Sequence, residues 1–319
     1  MDDPRPASIH FLSRRAGHPA QPVKARAIRI HKKMTPDDAF RTTLSDCLAQ
    51  MTANAGVLRN GRSVEGLHQL RVGLRRLEVS LQVFGQAFQQ PWLEELRGRA
   101  KVLSSRLGPA RDLDVFLEEL LAAPAKALSG NDAELFAPLR AEAEEARDKA
   151  WKQASACVLG GDFAVFLDDV AGLAQSRLPL ARDNRLKPMA GKMLARQAAR
   201  ARKRGRAARS HEAGDLHRLR IALKKLRYSA EFFAALYKRK KVKRYLAQVK
   251  KLQEALGRLH DIAHAQAAIA QLTPGQKGNG SLRFAAGSVQ GWYCARQPRL
   301  IKRAMKRWDR LRKTDPFWA

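Results

Sequence analysis

Leucine recurs at helical spacing in two stretches of the chain. The stretch "LHQLRVGLRRLEVSLQVF" runs from Leu67 to Phe84, and "LHRLRIALKKLRYSAEFF" runs from Leu216 to Phe233. At 100° per residue, the leucines of the first stretch fall within a band of roughly 80°, which is the core-facing stripe of an amphipathic helix. The second stretch begins 149 residues after the first and aligns with it without a gap. The pattern therefore predicts the same helix twice.

The same offset relates residues outside these two helices. The matched positions are Lys101 and Lys250, Leu103 and Leu252, Leu107-Gly108 and Leu256-Gly257, and Asp112 and Asp261. Several separate elements in one register indicate an internal duplication. We predict a first helical bundle over 34–178 and a second over 179–319. A flexible basic segment is expected over 1–33, where apolar periodicity is lacking.

Helical periodicity continues through most of the chain after residue 33, and strand-like alternation is absent. In the first half, the predicted helices cover 35–57, 62–89, 91–107, 110–122 and 131–158. In the second half, helices are expected at 184–207 and 282–310 in addition to the repeated one. Thr35 precedes Pro36 and two acids, a pattern typical of a helix N-cap. We therefore predict an all-α fold of two antiparallel helical bundles related by a pseudo-twofold axis.

The charge of the chain is unusual and unevenly distributed. The 319 residues include 61 lysines and arginines against 30 acids, a net charge of +31. Residues 1–175 hold 24 basic and 22 acidic side chains, whereas residues 176–319 hold 37 and 8. So large an excess indicates a polyanionic partner, because the field attracts phosphates.

Other features of the composition exclude several classes of protein. Cys47, Cys157 and Cys294 are far apart and form no disulfide framework, which favours a reducing compartment. No apolar run reaches about 18 residues, so we expect no transmembrane helix and no membrane partner. The N-terminus lacks an apolar signal core, and we expect a cytoplasmic protein.

Cations flank the leucine stripe of each repeated helix. His68, Arg71 and Arg75 fall within a band of roughly 60°, centred about 110° from the leucines, while Arg76 projects to a third side. In the second copy, the corresponding cations are His217, Arg220, Lys224 and Arg227, with Lys225 off the stripe. The flank of a buried seam is where a groove between helices would lie.

An exposed, solvated helix face is the alternative interpretation of each stripe. Two features favour a ligand instead. The stripe is duplicated with its spacing intact, and it lacks the acids at i+4 that usually balance such a face. Arginine can grip two phosphate oxygens at once, lysine offers a mobile charge, and histidine donates from both nitrogens when protonated. These residue types predict binding of a linear phosphate polymer.

At these residues the sequence resembles the CHAD family, the conserved histidine α-helical domain. The stretches that carry the resemblance are "LHQLRVGLRRL", "LGPARDLDVF", "LHRLRIALKKLRYSAEFF", "LGRLHDI" and "RWDRLRKTDPFW". The resemblance implies two pseudo-twofold-related helical bundles and a basic central pore that binds inorganic polyphosphate. It also implies nine ligand-facing residues, namely His68, Arg71, Arg75, Arg76, His217, Arg220, Lys224, Lys225 and Arg227.

Two departures from the family pattern affect the first half. Ser63-Val64-Glu65 stands where the family has Asp-Pro-Glu, and Glu78 replaces the usual third arginine. We therefore expect the two halves to contribute unequally to binding. Some relatives carry a triphosphate-tunnel catalytic domain before this one. Here only about 33 residues precede the first predicted helix and no ExExK motif occurs, so a stand-alone member is expected.

Further cations complete the candidate site. The added residues are Lys101, Arg111, Lys192, Arg196, Arg200, Lys250, His260, Lys302 and Arg303. Asp112 is expected to cap a helix or to hold an arginine of the stripe in place. His260 and His264 have the i, i+4 spacing of a metal pair, but no third ligand is evident and no metal site is predicted.

These residues suggest three candidate functions. The leading one is non-catalytic binding of inorganic polyphosphate, or of another phosphate or sulfate polyanion, with an association with polyphosphate granules. Non-specific nucleic-acid binding is the alternative, although the aromatic residues that usually stack on single strands are only 7% of the chain. Phosphohydrolysis would need clustered carboxylates for metal ions, and these are lacking in the stripes. No catalytic residue and no cofactor are predicted.

Overall fold

The computed structural model describes residues 21–88, 90–128, 133–179, 185–273 and 280–319, and these residues form helices and no strands. The first half contains α1 (Pro36–Arg59), α2 (Val64–Phe88), α3 (Pro91–Arg106), α4 (Gly108–Val115), α5 (Ala122–Leu128), α6 (Ala137–Leu159) and α7 (Gly161–Gln175). The second half contains α8 (Leu186–Ala207), α9 (Ala213–Phe232), α10 (Arg239–Leu272), α11 (Gly280–Cys294) and α12 (Gln297–Arg312). The all-α prediction is confirmed. Within the described ranges, no helix is both long and apolar enough to cross a bilayer.

The two repeated helices, α2 and α9, lie at the centre of the molecule. Helix α2 packs against α1 and α3, and α9 packs correspondingly against α8 and α10. The leucine stripe predicted for α2 is buried. Its members are Leu67, Leu70, Leu74, Leu77 and Leu81, each at most 2% exposed.

Helices α2 and α9 also contact each other directly. The rings of Phe84 and Phe233 lie 5.2 Å apart, and these residues are separated by 149 positions in the chain. A residue that contacts its own counterpart is what a twofold axis between two halves would produce. The duplication itself stays a prediction, which superposition of the two halves would test.

The corresponding segments of α3–α4 and α10 differ because of one proline. Pro109 lies in the first turn of α4, and α3 ends just before it at Arg106. Arg258 stands at the matched position, and α10 passes through it as one helix of 34 residues. Proline cannot donate the backbone hydrogen bond that a continuous helix needs, so the first half breaks where the second does not.

Three expectations about the helices need correction. Helix α7 was not predicted at all. The helix expected at 282–310 is two helices, α11 and α12, separated at Ala295 and Arg296, because Pro298 begins a new helix. The helix expected at 131–158 begins at Ala137, after a short 3₁₀ segment, and residues 131 and 132 lie outside the described residues.

The N-terminal segment is anchored where the structure describes it. Val23 donates its backbone N–H to Asn54 Oδ1 (3.0 Å), and Asn54 Nδ2 donates to the carbonyl of Val23 (2.9 Å). Ile28 and Ile30 are 7% and 3% exposed. The prediction of a flexible segment is therefore wrong for residues 23–30, since apolar burial and a paired amide hold them; residues 1–20 lie outside the described residues.

Candidate functional site

A cavity of about 680 Å³ lies beside the crossing of α2 and α9 and is bounded by α3, α4 and α10. Seven cationic side chains line it, namely Arg71, Arg75, Lys101, Arg111, Arg220, Lys224 and Lys225. Four histidines do so as well, namely His68, His217, His260 and His264. Four carboxylates are also present, namely Glu78, Asp112, Glu119 and Asp261. Cations thus outnumber acids by three when the histidines are neutral.

The two halves contribute matched residues to this cavity. The pairs at the 149-residue offset that line it are His68 and His217, Arg71 and Arg220, Val72 and Ile221, Arg75 and Lys224, Arg111 and His260, Asp112 and Asp261, and Val115 and His264. The flanks of two crossing helices therefore meet in one space, as the position of the stripes beside the leucine seam indicated.

Arg71 is held rigidly at the break between α3 and α4. Its Nη1 donates to the carbonyl oxygens of Leu107 (3.1 Å) and Gly108 (2.8 Å), and it lies 3.7 Å from Asp112 Oδ1. Asp112 thus holds an arginine of the stripe, as was expected. The proline-induced break places these groups together, and part of the donor capacity of Arg71 is already used.

Arg220, the counterpart of Arg71, lies beside an unbroken helix. The carboxylate of Asp261 acts on it electrostatically, while burial and the charge of Arg75 lower the pKa of Arg220. Among the described residues, no hydrogen bond from its guanidinium to a protein group is found. Arg220 therefore has more donor capacity left for an anion than Arg71 has.

Like charges face each other at the centre of the cavity. Burial, followed by the charges of Arg75, Arg220, Arg227 and Arg71, lowers the pKa of Lys224 to about 6. In the empty protein this lysine is thus mostly neutral at pH 7. An anion in the cavity would reverse the balance, because it favours the charged form of the amine.

Three histidines from the second half form a cluster in the wall of the cavity. The ring centroids of His217 and His260 are 5.0 Å apart, and those of His260 and His264 are 4.0 Å apart. Burial and the charge of Arg220 lower the pKa of His260 to about 2, and the same two causes lower the pKa of His217. Burial and the charge of Arg111 lower the pKa of His68. The neutral forms of His68, His217 and His260 are therefore favoured until an anion enters.

Arg76 does not line the cavity, so the prediction that it contacts the ligand is wrong. Its side chain is 4% exposed and donates from Nη2 to Asp46 Oδ2 and from Nη1 to Gln50 Oε1, each at 2.7 Å. The helix geometry already pointed it to a third side, and there α1 supplies its partners. Its counterpart Lys225 does line the cavity.

Arg227 and Lys250 are also absent from the cavity wall. Arg227 lies over the ring of Tyr228 at 4.9 Å and approaches Glu231 at 3.7 Å, so its own helix offsets part of its charge, and it acts on the cavity only electrostatically, through Lys224. Lys250 is an exposed residue of α10. The predicted roles of both residues in the cavity are therefore not supported by their positions.

The cations predicted on α8 and α12 lie outside the cavity too. Arg196 Nη1 donates to Gln86 Oε1 at 2.7 Å and so links α8 to α2, while Lys192 is exposed. Arg200 is close enough for its charge to lower the pKa of Lys225, after the larger effect of burial. On α12, Lys302 lines a separate groove of about 720 Å³, and Arg303 is exposed.

Several lining residues were not predicted, and their chemistry bears on catalysis. Glu119 lies 3.7 Å from Arg111, and His264 Nδ1 lies 3.9 Å from Asp112 Oδ2. Two of the four acids therefore face cations, while the charge of Glu119 also acts on Asp261. Among the described residues, no group of three or more histidine, cysteine or acidic side chains is placed to hold a metal ion.

The sequence model of the CHAD domain matches residues 42–270 of the chain. The chain belongs to the CHAD domain family. The crystal structure of the CHAD domain from the plant Ricinus communis is similar to it, with a TM-score of 0.78 and 26% identity over 94% of this chain and 99% of the plant chain. PptA from Streptomyces chartreusis shares the fold, with a TM-score of 0.68 and 21% identity over 86% of this chain and 99% of its own. No curated protein matches the sequence.

The CHAD fold of this chain extends beyond the matched sequence range. Helices α11 and α12 follow residue 270, and α12 packs on α10. The Ricinus structure covers nearly the whole chain, so these C-terminal helices belong to a shared architecture. All nineteen lining residues of the cavity fall within 42–270.

Proposed function

We propose that the cavity beside the α2–α9 crossing binds inorganic polyphosphate without acting on it chemically. The observation that carries the proposal is the convergence of seven cations and four histidines from both halves in one space. The resemblance to CHAD proteins, which implies polyphosphate binding in a basic pore, supports the same ligand. Other phosphate or sulfate polyanions share the chemistry that these residues recognise.

The size and charge of the cavity favour a thin polyanion. A space of about 680 Å³ admits a chain of single phosphates, whereas a nucleic-acid duplex is about 20 Å across and stays outside. Burial, followed by repulsion from Arg75 and Arg220, disfavours the charged form of Lys224 and so costs free energy in the ligand-free protein. A phosphate chain would relieve that repulsion, so the site is arranged for an anion.

We infer that the site is non-catalytic because two of its four acids are engaged by cations and, among the described residues, no group of three or more acids and histidines is placed to hold a metal ion. Asp112 faces Arg71 and His264, and Glu119 faces Arg111. Phosphoryl transfer usually needs carboxylates that hold metal ions against the phosphates. Incubation with polyphosphate should accordingly release no orthophosphate, and steady release that depends on the cavity arginines would contradict this part of the proposal.

Calorimetric titration with a short polyphosphate chain tests the proposal. Arg220→Ala should weaken binding about tenfold or more, because a charge-assisted hydrogen bond contributes roughly 1.5–3 kcal/mol. Arg71→Ala should weaken it less, since this side chain already donates to two carbonyls. Arg202→Ala, an exposed arginine of α8, is the matched control for loss of one charge. The proposal is wrong if Arg220→Ala binds as tightly as the parent protein.

A further inference from the structure

The cavity accounts for very little of the charge in the second half. Residues 176–319 carry 37 basic and 8 acidic side chains, a net charge of +29. Of these, only Arg220, Lys224, Lys225 and Asp261 line the cavity, a net contribution of +2. An excess of +27 therefore lies elsewhere in this half. Such a concentration destabilises the folded chain by self-repulsion unless an anion compensates it.

Helix α12 carries part of this excess positive charge. Its cations are Arg299, Lys302, Arg303, Lys306, Arg307, Arg310 and Arg312, followed by Lys313 at the C-cap. Its one acid, Asp309, is already engaged by two arginines: Arg209 donates to Asp309 Oδ1 at 3.0 Å and Arg312 at 2.9 Å. No ion pair is found for the other cations of this helix among the described residues.

Five of these cations form a row along α12, which we name the α12 stripe: Arg299, Arg303, Lys306, Arg310 and Lys313. All five are exposed, and they follow one another at intervals of three or four residues. The stripe therefore presents one cation per turn of about 5.4 Å within a band of about 80°, over roughly 21 Å.

Most of the opposite face of α12 packs against the rest of the fold. Ala304, Trp308 and Leu311 are at most 4% exposed, and α12 packs on α10. A membrane-surface helix inserts its apolar face into the lipid, and here Ile301 and Met305 of that face, in the groove beside α12, are only partly exposed. Proteins that bind single strands stack bases on aromatic side chains, and the one aromatic residue of α12, Trp308, is buried.

The C-terminal end of α8 adjoins the α12 stripe. Gly205 leaves room for the ring of Trp308 to lie against the α8 backbone, and a Cβ there would overlap that ring. Exposed cations surround this contact on α8, namely Arg202, Lys203, Arg204 and Arg206. Helix α8 carries no acid over its 22 residues. The two helices thus extend one basic surface.

We propose that the α12 stripe, with the adjoining end of α8, binds the phosphate backbone of double-stranded DNA without sequence preference. The row spans roughly six base pairs at about 3.4 Å per pair. Its five cations are exposed, and Lys306, Arg310 and Lys313 also line the groove of about 720 Å³ beside α12, so a duplex too wide for the cavity can reach them. Its ligand chemistry, a phosphate polymer, is shared with polyphosphate. The even spacing of the row and the lack of an exposed aromatic residue on α12 favour the duplex.

Fluorescence anisotropy with a labelled duplex of about 20 base pairs, over a series of salt concentrations, tests this proposal. The stripe variant R303A/K306A/R310A removes three exposed charges. Its matched control, K240A/K241A/K243A, removes three exposed charges from the start of α10. Each phosphate contact contributes a slope of about 0.9 in log K against log salt. The stripe variant should therefore bind about 500-fold more weakly near 0.1 M salt, with a slope lower by about 2.7.

Three results would overturn the proposal. The stripe variant and the control could lose equal amounts of duplex affinity, or the stripe variant could keep the affinity of the parent. The protein could also bind single-stranded DNA or anionic phosphatidylserine vesicles more tightly than the duplex.

The proposal can be tested separately from polyphosphate binding in the cavity. Arg220→Ala should leave duplex affinity unchanged, and the stripe variant should keep its affinity for a short polyphosphate chain. Loss of duplex binding in Arg220→Ala would place the DNA at the cavity and also refute the stripe.

Discussion

Replacing Lys224 by methionine should make the empty protein more stable and its ligand binding less dependent on pH. Methionine has nearly the length of lysine and no charge, so it preserves packing while removing the amine. Lys224 is the lysine that faces Arg75 and Arg220 in the cavity. The empty protein therefore has to keep this amine neutral or tolerate the repulsion.

The magnitude follows from the pKa of Lys224, which falls from 10.5 to about 6 in the folded protein. Because the folded pKa lies below the unfolded one, the unfolded chain binds the proton more strongly. The resulting destabilisation is absent above about pH 10.5, grows as the pH falls, and is complete below about pH 6. At 1.36 kcal/mol per pKa unit, the cost at pH 7 is on the order of 5 kcal/mol.

Denaturant unfolding of the ligand-free proteins at pH 7 and pH 10 measures the destabilisation caused by Lys224. Lys224→Met should gain stability of that order at pH 7 and far less at pH 10. Lys250→Met, at an exposed position of α10, is the control and should gain nothing at either pH. The reasoning is refuted if Lys224→Met is no more stable than the parent at pH 7.

Binding supplies a second readout of the same residue. A phosphate chain raises the pKa of Lys224, so binding between about pH 7 and 9 takes up close to one proton at this site. Affinity should then rise by up to about tenfold for each unit by which the pH falls. Protonation of the histidines on binding should add to this rise when the pH is below about 6.5, the usual pKa of histidine. Calorimetry in buffers of different ionisation enthalpy counts the protons, and Lys224→Met should take up about one fewer. An unchanged count would contradict this account.

Three further changes test other parts of the molecule. Glu78→Arg should strengthen binding of a short polyphosphate chain, because it replaces an acid of the cavity wall by a cation, with Glu78→Gln intermediate; weaker binding by a folded Glu78→Arg protein would contradict this. Gly205→Ala should cost about 1–3 kcal/mol, since its Cβ would overlap the ring of Trp308, and an unchanged melting temperature would exclude that contact. Arg76→Met should cost about 3 kcal/mol in denaturant unfolding by leaving Asp46 without its partner, whereas a ligand role would leave stability unchanged.

The sequence predicted the central helices well because each carries its own packing signal. The leucine spacing of α2 fixed its buried face, and the cations beside that face were correctly expected to border a groove. The break before Pro298 was missed, although proline favours the first turn of a helix over its interior. Helix α7 lacks a matched segment at the 149-residue offset among the predicted helices, so the internal repeat did not predict it.

Residues that reach the cavity from other helices were harder to predict. Glu119 lies in a π-helical turn, and its position depends on how that turn packs against its neighbours. His264 is matched by Val115, so the internal alignment gave no chemical hint of it. Arg227 occupied the correct flank, yet Glu231 on the next turn engages it. Local periodicity assigns a side chain to a face, while its partners are set by tertiary packing.

The joining of both sides of the cavity in one chain has an evolutionary consequence. In a dimer of identical subunits, every substitution on the axis is made twice, so the two walls must change together. Here the two halves differ at matched positions: Pro109 corresponds to Arg258, and Glu78 corresponds to Arg227. Substitutions that make one wall of the cavity more rigid can therefore be selected independently of substitutions that make the other wall attract anions more strongly.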